Sequence, residues 1–206
     1  MDVIIVSKTH MANGVCVGGV LGNGRFVRLL NTQGYNQDFD TPFKVGEVYT
    51  IIFSDRHNLT PPHIEDILVS QANYKFSFPS HESMVAYLTE KLYVKIWKGS
   101  TEVLFDGKLQ WTSAGSGYIS GCESLPENSV GFWLPDKDLT KKEFQGKVRY
   151  GYPIKWRNMA FVGFQDPVEK IPANTLVRVS LARWWAPNEE DEKRCYLQIS
   201  GWYCLP

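Results

Sequence analysis

A group of polar residues in the first half of the chain has the side-chain types that bind phosphate or transfer protons. The group comprises Lys8, His10, Cys16, Arg28, His63, Glu65 and Asp66. Lys8 and Arg28 are suited to phosphate contacts, and the two histidines can donate hydrogen bonds to a phosphate or a base. Arg28 lies in the apolar segment RFVRLLN, where a guanidinium needs a ligand or a charged partner. Lys8, His10, Arg28 and His63 are therefore predicted to bind a ligand, and a structural pairing of Arg28 with Asp66 is the alternative.

The same side chains offer two further chemistries, which the rest of the sequence does not support. His10 and His63 beside carboxylates could act as general acid and base in a hydrolase or nuclease. No GxSxG, Walker, HExxH or deaminase motif accompanies them, so this hypothesis ranks third. The histidine, cysteine and carboxylate side chains could also bind zinc, but their spacing matches no established zinc motif. The sequence therefore predicts no catalytic residue, no metal and no cofactor.

A second group, near the C-terminus, combines aromatic side chains with arginine and glutamine. It comprises Arg178, Arg183, Trp184, Trp185, Lys193, Arg194, Tyr196, Gln198, Trp202 and Tyr203. Alternate residues of a strand share a face, so Cys195, Leu197 and Ile199 are expected to face the core. The opposite face then presents four polar and aromatic side chains, those of Arg194, Tyr196, Gln198 and Trp202.

This polar and aromatic face has two interpretations. Aromatic side chains next to arginine and glutamine can stack on nucleobases, neutralise phosphate and read base edges. The predicted ligand-binding residues here are Arg183, Trp185, Arg194, Tyr196, Gln198 and Trp202. The alternative is that the face packs between two lobes, since interfaces are also rich in Trp, Tyr and Arg. The aromatic and basic segment from Arg149 to Arg157 is a weaker candidate surface.

Length, composition and charge limit the class of protein. A chain of 206 residues fits two domains of about 100 residues each, and a hydrophobic content of 43% supports a packed core. Lys plus Arg and Asp plus Glu both number 22, so the formal net charge is zero. This balance argues against a non-specific binder of the phosphate backbone, although it leaves room for a local basic groove.

The cysteines and the apolar segments indicate where the protein acts. Cys16, Cys122, Cys195 and Cys204 form no CxxC pair and are predicted to be free thiols in a reducing compartment. The first ten residues, MDVIIVSKTH, lack the basic leader of a signal peptide. No apolar stretch approaches the roughly 20 residues of a membrane span. We therefore predict a cytoplasmic protein with no membrane partner.

Short β-branched segments between turn signals predict a mainly all-β fold. The turn Gly22-Asn23-Gly24 between two apolar segments predicts a hairpin, and further strands are expected at 102–105 and 154–157. One helix is expected from Ser80 or His81 to Leu92, and a second, short helix at 136–144. Bent strands with internal glycines favour small barrels. We predict two small OB-like β-barrels in tandem with one or two short helices, divided as 1–92 and 93–206.

Three segments carry a resemblance to a known family. The opening SKTHMANGVCVGGVL with RFVRLL, the segment PPHIEDILV, and the closing VRVSLARWW with KRCYLQISGWY resemble the dual OB-containing domain family of prokaryotes. The closing segments are the most specific, and the middle of the chain contributes little. The resemblance implies tandem OB domains and a link to nucleic-acid or nucleotide recognition in prokaryotic conflict systems.

These observations lead to a ranked set of functions. The first is a non-catalytic module that binds or senses nucleic acid or a nucleotide, acting with an effector protein of a conflict (defence) system. The alternative is a protein–protein interaction module, which neutral charge and exposed aromatic side chains would serve equally well. The hydrolase based on His10 and His63 is the third.

Overall fold

The computed structural model describes residues 1–121 and 124–205, which form two compact units. The first unit contains Met1–Thr60 and Ile64–Lys95 together with the C-terminal residues from Tyr203 onward. The second contains Pro61–His63 and Ile96–Trp202. The units are thus discontinuous in sequence, and the division at residues 92 and 93 remains a prediction.

The first unit is a closed barrel of five strands followed by a helix. Its elements are β1 (Asp2–His10), β2 (Val15–Leu21), β3 (Phe26–Leu30), β4 (Glu47–Asp55), β5 (Asp66–Ser77) and α1 (His81–Glu90). Around the barrel the strands follow the order β1-β2-β3-β5-β4, with β3 and β5 parallel and the other pairs antiparallel. This topology confirms the predicted OB-like barrel and the mainly β class.

Local sequence explains the bend of the barrel and the start of its helix. A Cβ at Gly19 would lie 2.5 Å from Cγ2 of Val3, so only glycine lets β1 and β2 approach this closely beside the bulge in β1. Ser80 caps α1 by accepting from the backbone N–H of Ser83, whose hydroxyl in turn accepts from the N–H of Ser80. The predicted hairpin and the predicted start of the helix are both confirmed.

The second unit is built on a large mixed sheet. Its strands are β6 (Ile96–Gly99), β7 (Gln110–Trp111), β8 (Gly117–Ser120), β9 (Val130–Pro135), β10 (Leu139–Phe144), β11 (Lys147–Tyr152), β12 (Arg157–Phe161), β13 (Lys170–Ile171), β14 (Leu176–Leu181) and β15 (Arg194–Tyr203). The main path runs β13-β10-β11-β12-β15-β14-β9-β6, and β8 joins β15 to β7. The core side of β15 carries Cys195, Leu197 and Ile199, as the alternation predicts.

Three predicted elements of this unit are wrong. The expected helix at 136–144 is the strand β10, because Leu139 is fully buried and the segment pairs with β11. The expected strand at 102–105 lies in a 3-10 segment, Thr101–Gly107, which the hydroxyl of Ser100 caps. The expected strand at 154–157 is a turn that ends where β12 begins. Non-local pairing outweighed helix propensity in the first case, and a local cap outweighed strand propensity in the second. In the third, positive φ at Lys155 and Trp156 turns the chain.

Three of the four cysteines and both helical segments lie among the described residues. Cys16, Cys195 and Cys204 are unpaired, and Cys122 lies outside the described residues. Burial raises the pKa of the Cys195 thiol to about 12. No helix in the described part of the chain has the length and apolar character that crossing a membrane requires.

Candidate nucleic-acid interface

Four neighbouring strands of the second unit place a row of side chains, three of them polar, on one face of the sheet. Lys142 on β10 is opposite Arg149 on β11, and Arg149 is opposite Ala160 on β12. Ala160 is in turn the parallel partner of Gln198 on β15. Directly paired residues share a face, and strands lie about 4.8 Å apart, so the row spans about 14 Å. We call Lys142, Arg149, Ala160 and Gln198 the cationic row.

A cleft of about 320 Å³ opens at the Lys142 end of this row. It is lined by Ala114, Ser116, Lys142, Glu143, Phe144, Arg149 and Asn158. Arg149 Nη1 lies 3.5 Å from Ser116 Oγ, and Phe144 is 60% exposed. Glu143, the one acidic side chain of the lining, pairs with Lys141 at 3.3 Å. The cleft therefore combines two cations, an exposed ring and hydrogen-bonding groups.

A tight turn holds Trp156 beside the cleft. Trp156 is 82% exposed, and both Lys155 and Trp156 have positive φ, 59° and 53°. Asn158 Nδ2 donates to the Trp156 carbonyl oxygen at 2.9 Å, and Asn158 Oδ1 accepts from Lys142 Nζ at 3.2 Å. Lys142 Nζ also lies 5.8 Å from the centre of the Trp156 ring, within the range of a cation–π contact. Asn158 thus joins the turn to the cleft.

Gly115 fixes the same turn from the other side. A Cβ at Gly115 would lie 2.0 Å from the Trp156 carbonyl oxygen, so only glycine permits the approach. The backbone N–H of Asn158 donates to the Gly115 carbonyl oxygen at 2.8 Å. The backbone that carries Trp156 is therefore held against the loop that precedes β8.

The other predicted residues of β15 have partners within the second unit. The Arg194 guanidinium stacks 4.2 Å from the centre of the Tyr118 ring and pairs through Nε with Glu192 at 3.0 Å. The hydrogen bond to Glu192, followed by one to Tyr196, raises the pKa of Arg194. Tyr196 contacts the rings of Tyr118 and Trp185, with centroids 6.1 and 6.2 Å away. Arg194 is thus largely committed to protein contacts, whereas Gln198 joins the cationic row.

The remaining C-terminal candidates differ in exposure. Trp202 packs against Tyr150 and Phe161, with ring centroids 5.5 and 5.1 Å away. It therefore belongs to the core side of the unit, and its predicted place on the polar face of β15 is wrong. Trp185 is 56% exposed and Arg183 is also exposed. Among the described strand pairings, none places Arg183, Trp185 or Trp202 in line with the cationic row.

In the first unit, Arg28 is paired. Its Nη1 lies 3.2 Å from Asp66 Oδ1, and both side chains are nearly inaccessible. Arg56 contacts the other carboxylate oxygen of Asp66 at 3.0 Å. Burial by itself lowers the pKa of Arg28. The opposing effects of Cys16, Asp66 and Glu65 raise it by more than burial lowers it, so the pKa of Arg28 lies above its ordinary value. The structural alternative for Arg28, pairing with Asp66, is the arrangement present.

Lys8, His10 and His63 occupy three different environments. Lys8 is half-buried on β1 opposite Val17, and burial lowers its pKa. His10 is exposed at the end of the same strand. His63 is buried in the second unit, where Nε2 contacts the carbonyl oxygens of Leu181 and Ala182 at 3.3 and 3.1 Å. Within residues 1–121 and 124–205, no three His, Cys, Asp or Glu side chains lie close enough to hold a metal.

Sequence reasoning missed most of the cleft. Lys142 and Phe144 fell in the segment predicted as a helix, and Ser116 and Asn158 were in no candidate group. The sequence did contain a signal for a strand here. Lys142 and Phe144 are two residues apart, as are Lys147 and Arg149, which is the spacing of side chains on one face of a strand. In the weaker candidate segment, Tyr150, Tyr152 and Arg157 are buried, while Lys155 and Trp156 are exposed.

The closed barrel with its β1-β2-β3-β5-β4 order places the protein in the OB-fold class. The chain belongs to the dual OB-containing domain family, whose model matches residues 1–202. This confirms the family resemblance read from the two ends of the sequence.

No curated protein matches the chain significantly. Among solved structures, the chain is similar to a murine DNA-binding protein bound to double-stranded DNA, with 14% identity and a TM-score of 0.29 over 99% of this chain and 94% of that one. At this level of similarity the likeness carries no argument about function.

Proposed function

We propose that the chain is a non-catalytic module that binds nucleic acid or a nucleotide through the cationic row and its cleft. The observation that carries the proposal is the alignment of Lys142 and Arg149 on one sheet face with Gln198, beside a cleft of about 320 Å³. Volumes of this size suit small ligands. Two cations with an amide and an exposed ring supply phosphate contacts, base-edge hydrogen bonds and stacking.

The charges of the cationic row are available to a ligand. Within the described part of the chain, neither Lys142 nor Arg149 forms an ion pair, and their side-chain partners are the neutral Asn158 and Ser116. Other cations nearby are neutralised, since Lys141 pairs with Glu169 and Lys155 with Glu102, each at 3.0 Å. A zero net charge therefore coexists with a local site for phosphate.

Binding and sensing would serve a larger system. The proposed module acts as the recognition partner of an effector protein in a prokaryotic conflict system, and it acts in the cytoplasm. This part of the proposal is supported by family membership and the sequence-based expectations alone.

Fluorescence anisotropy with labelled single-stranded and duplex DNA and RNA, and with a labelled nucleotide, tests the binding proposal. We expect Arg149→Ala to weaken binding about 10- to 150-fold, because a hydrogen bond to a charged group contributes about 1.5–3 kcal/mol. Lys142→Ala should also reduce the slope of log K against log salt by about 0.7 for a single strand. Lys98→Ala is the matched control, since Lys98 is exposed on β6 at the opposite edge of the same sheet. Equal losses in all three variants, or no binding at low salt, would contradict the proposal.

A protein-interaction module is the second candidate, and an aromatic patch of the first unit favours it. Phe76 and Tyr87 are 44% and 42% exposed, and Phe78 joins them with ring centroids 5.5 and 5.6 Å away. Tyr74, on the same strand as Phe76, is 58% exposed. Exposed contiguous rings of this kind mark interaction surfaces. Absence of nucleic-acid and nucleotide binding at low salt would leave this candidate as the working function.

A further inference from the structure

Trp156 is a large apolar side chain that the backbone holds in solvent. Tryptophan side chains are usually mostly buried, whereas Trp156 is 82% exposed, so core packing does not explain this residue. Its backbone lies in the left-handed region at φ 53°, next to Lys155 at φ 59°. Side chains with a Cβ rarely adopt this conformation, and it persists only where the surroundings impose it. Gly115 and Asn158 impose it here through the contacts described above.

The exposed ring is tied to the cations of the proposed site. Lys142 lines the cleft, donates to Asn158 and lies over one face of the indole at 5.8 Å. Arg149 is the cross-strand partner of Lys142. One face of the indole therefore lies against the cation that would meet a phosphate, which leaves the other face for a second planar group.

We infer that the ligand of this site is an unpaired nucleic-acid strand, with one base stacked on Trp156 and its backbone phosphates at Lys142 and Arg149. This inference rests on the proposed function and narrows it to a substrate class. Base faces inside a duplex are covered by neighbouring base pairs, whereas an unpaired base can stack on an aromatic side chain. Phosphate contacts alone would not favour the single strand, because each nucleotide carries one negative charge in both forms and the duplex has the higher charge density.

The experiment compares one labelled oligonucleotide, alone and annealed to its complement, on the full chain at fixed salt. We expect the single strand to bind more tightly than the duplex. Trp156→Ala should weaken single-strand binding about 5- to 150-fold, since stacking contributes about 1–3 kcal/mol per base. Trp156→Phe should retain most of the affinity, because it keeps a stacking ring.

Tyr93→Ala is the matched control. Tyr93 is 81% exposed with a backbone φ of 49°, so it reproduces both the exposure and the left-handed backbone of Trp156, but it lies in the first unit. We expect it to leave the affinity unchanged, and thermal unfolding of each variant reports whether the fold is retained.

The outcomes separate the two proposals. Loss of single-strand binding in Trp156→Ala, with retention in Trp156→Phe and Tyr93→Ala, supports the inference. Binding that depends on Arg149 but is equal for the duplex, or unaffected by Trp156→Ala, overturns the inference and leaves the proposed function in place. Failure of the unsubstituted protein to bind any nucleic acid or nucleotide overturns both.

Discussion

At the scale of single residues, Arg28 shows how a buried charge is stabilised. Its guanidinium lies in an apolar strand of the barrel, and its side chain is 9% exposed. The parallel pairing of β3 with β5 places Arg28 beside Asp66. The two residues are far apart in the sequence, so the register between these strands brings the carboxylate to the guanidinium. Such pairs are weak contributors to net stability, but breaking one leaves a buried charge without its partner.

We expect Arg28→Ala to destabilise the first unit by on the order of 3 kcal/mol, because the buried carboxylate of Asp66 would lose the guanidinium that pairs with its Oδ1. Urea unfolding followed by far-UV circular dichroism measures the change. Arg25→Ala is the control, since the pair of Arg25 with Asp55 at 2.8 Å is exposed and worth less than about 1 kcal/mol. Similar unfolding midpoints for the two variants would show that the Arg28 pair is not structural.

At the scale of elements, the turn between β11 and β12 and the loop before β8 depend on each other. The loop approaches the turn at Gly115, and the turn presents Trp156. Neither feature is visible in the strand pattern, which predicted a strand at 154–157. The reason is that two successive left-handed residues reverse the chain direction here, and the sequence does not mark them with glycine.

Two glycines with similar backbones test this dependence. Gly115 and Gly146 have φ of +82° and +70°, so alanine is strained at both. A Cβ at Gly146 meets nothing within 4 Å, whereas one at Gly115 would overlap the Trp156 carbonyl oxygen. We expect Gly146→Ala to cost about 1 kcal/mol and Gly115→Ala about 2–4 kcal/mol, as measured by thermal unfolding. A cost at Gly115 no greater than that at Gly146 would mean that the loop moves away freely.

At the scale of the whole molecule, the neighbouring residues Trp202 and Tyr203 of β15 belong to different units. Tyr203 belongs to the first unit, where its hydroxyl donates to the Val6 carbonyl oxygen and its ring contacts His81 at 5.4 Å. Trp202 belongs to the second unit, against Tyr150 and Phe161. The first unit therefore includes Tyr203, the last residue of β15.

Hydrogen–deuterium exchange resolved by peptide tests this assignment. We expect Tyr203→Ala to accelerate exchange in β1 and α1, and Trp202→Ala to accelerate it in β11 and β12. Truncation of a buried aromatic side chain costs about 3–5 kcal/mol, which is enough to change the local opening equilibrium by more than about a hundredfold. Faster exchange in the same segments for both variants would contradict the division of β15 between the units.

The sequence by itself determined what local periodicity and turn chemistry encode. The alternation in β15 from Cys195 to Ile199, the hairpin at Gly22-Asn23-Gly24, the start of α1 at Ser80 or His81 and the mainly β class were predicted correctly. The predicted position of Trp202 on the polar face of β15 was wrong. These features depend on residues within a few positions of one another, where side-chain direction and backbone preference are set locally.

Only the tertiary structure decided which distant residues meet. The cationic row requires the registers of β10, β11, β12 and β15, and a shift of one residue would move Lys142 and Arg149 to the opposite face. The partner of Arg28 and the assignment of Tyr203 depend on contacts between segments far apart in the chain. Cross-strand register is set by the packing of the whole sheet, so a single sequence read locally does not contain it.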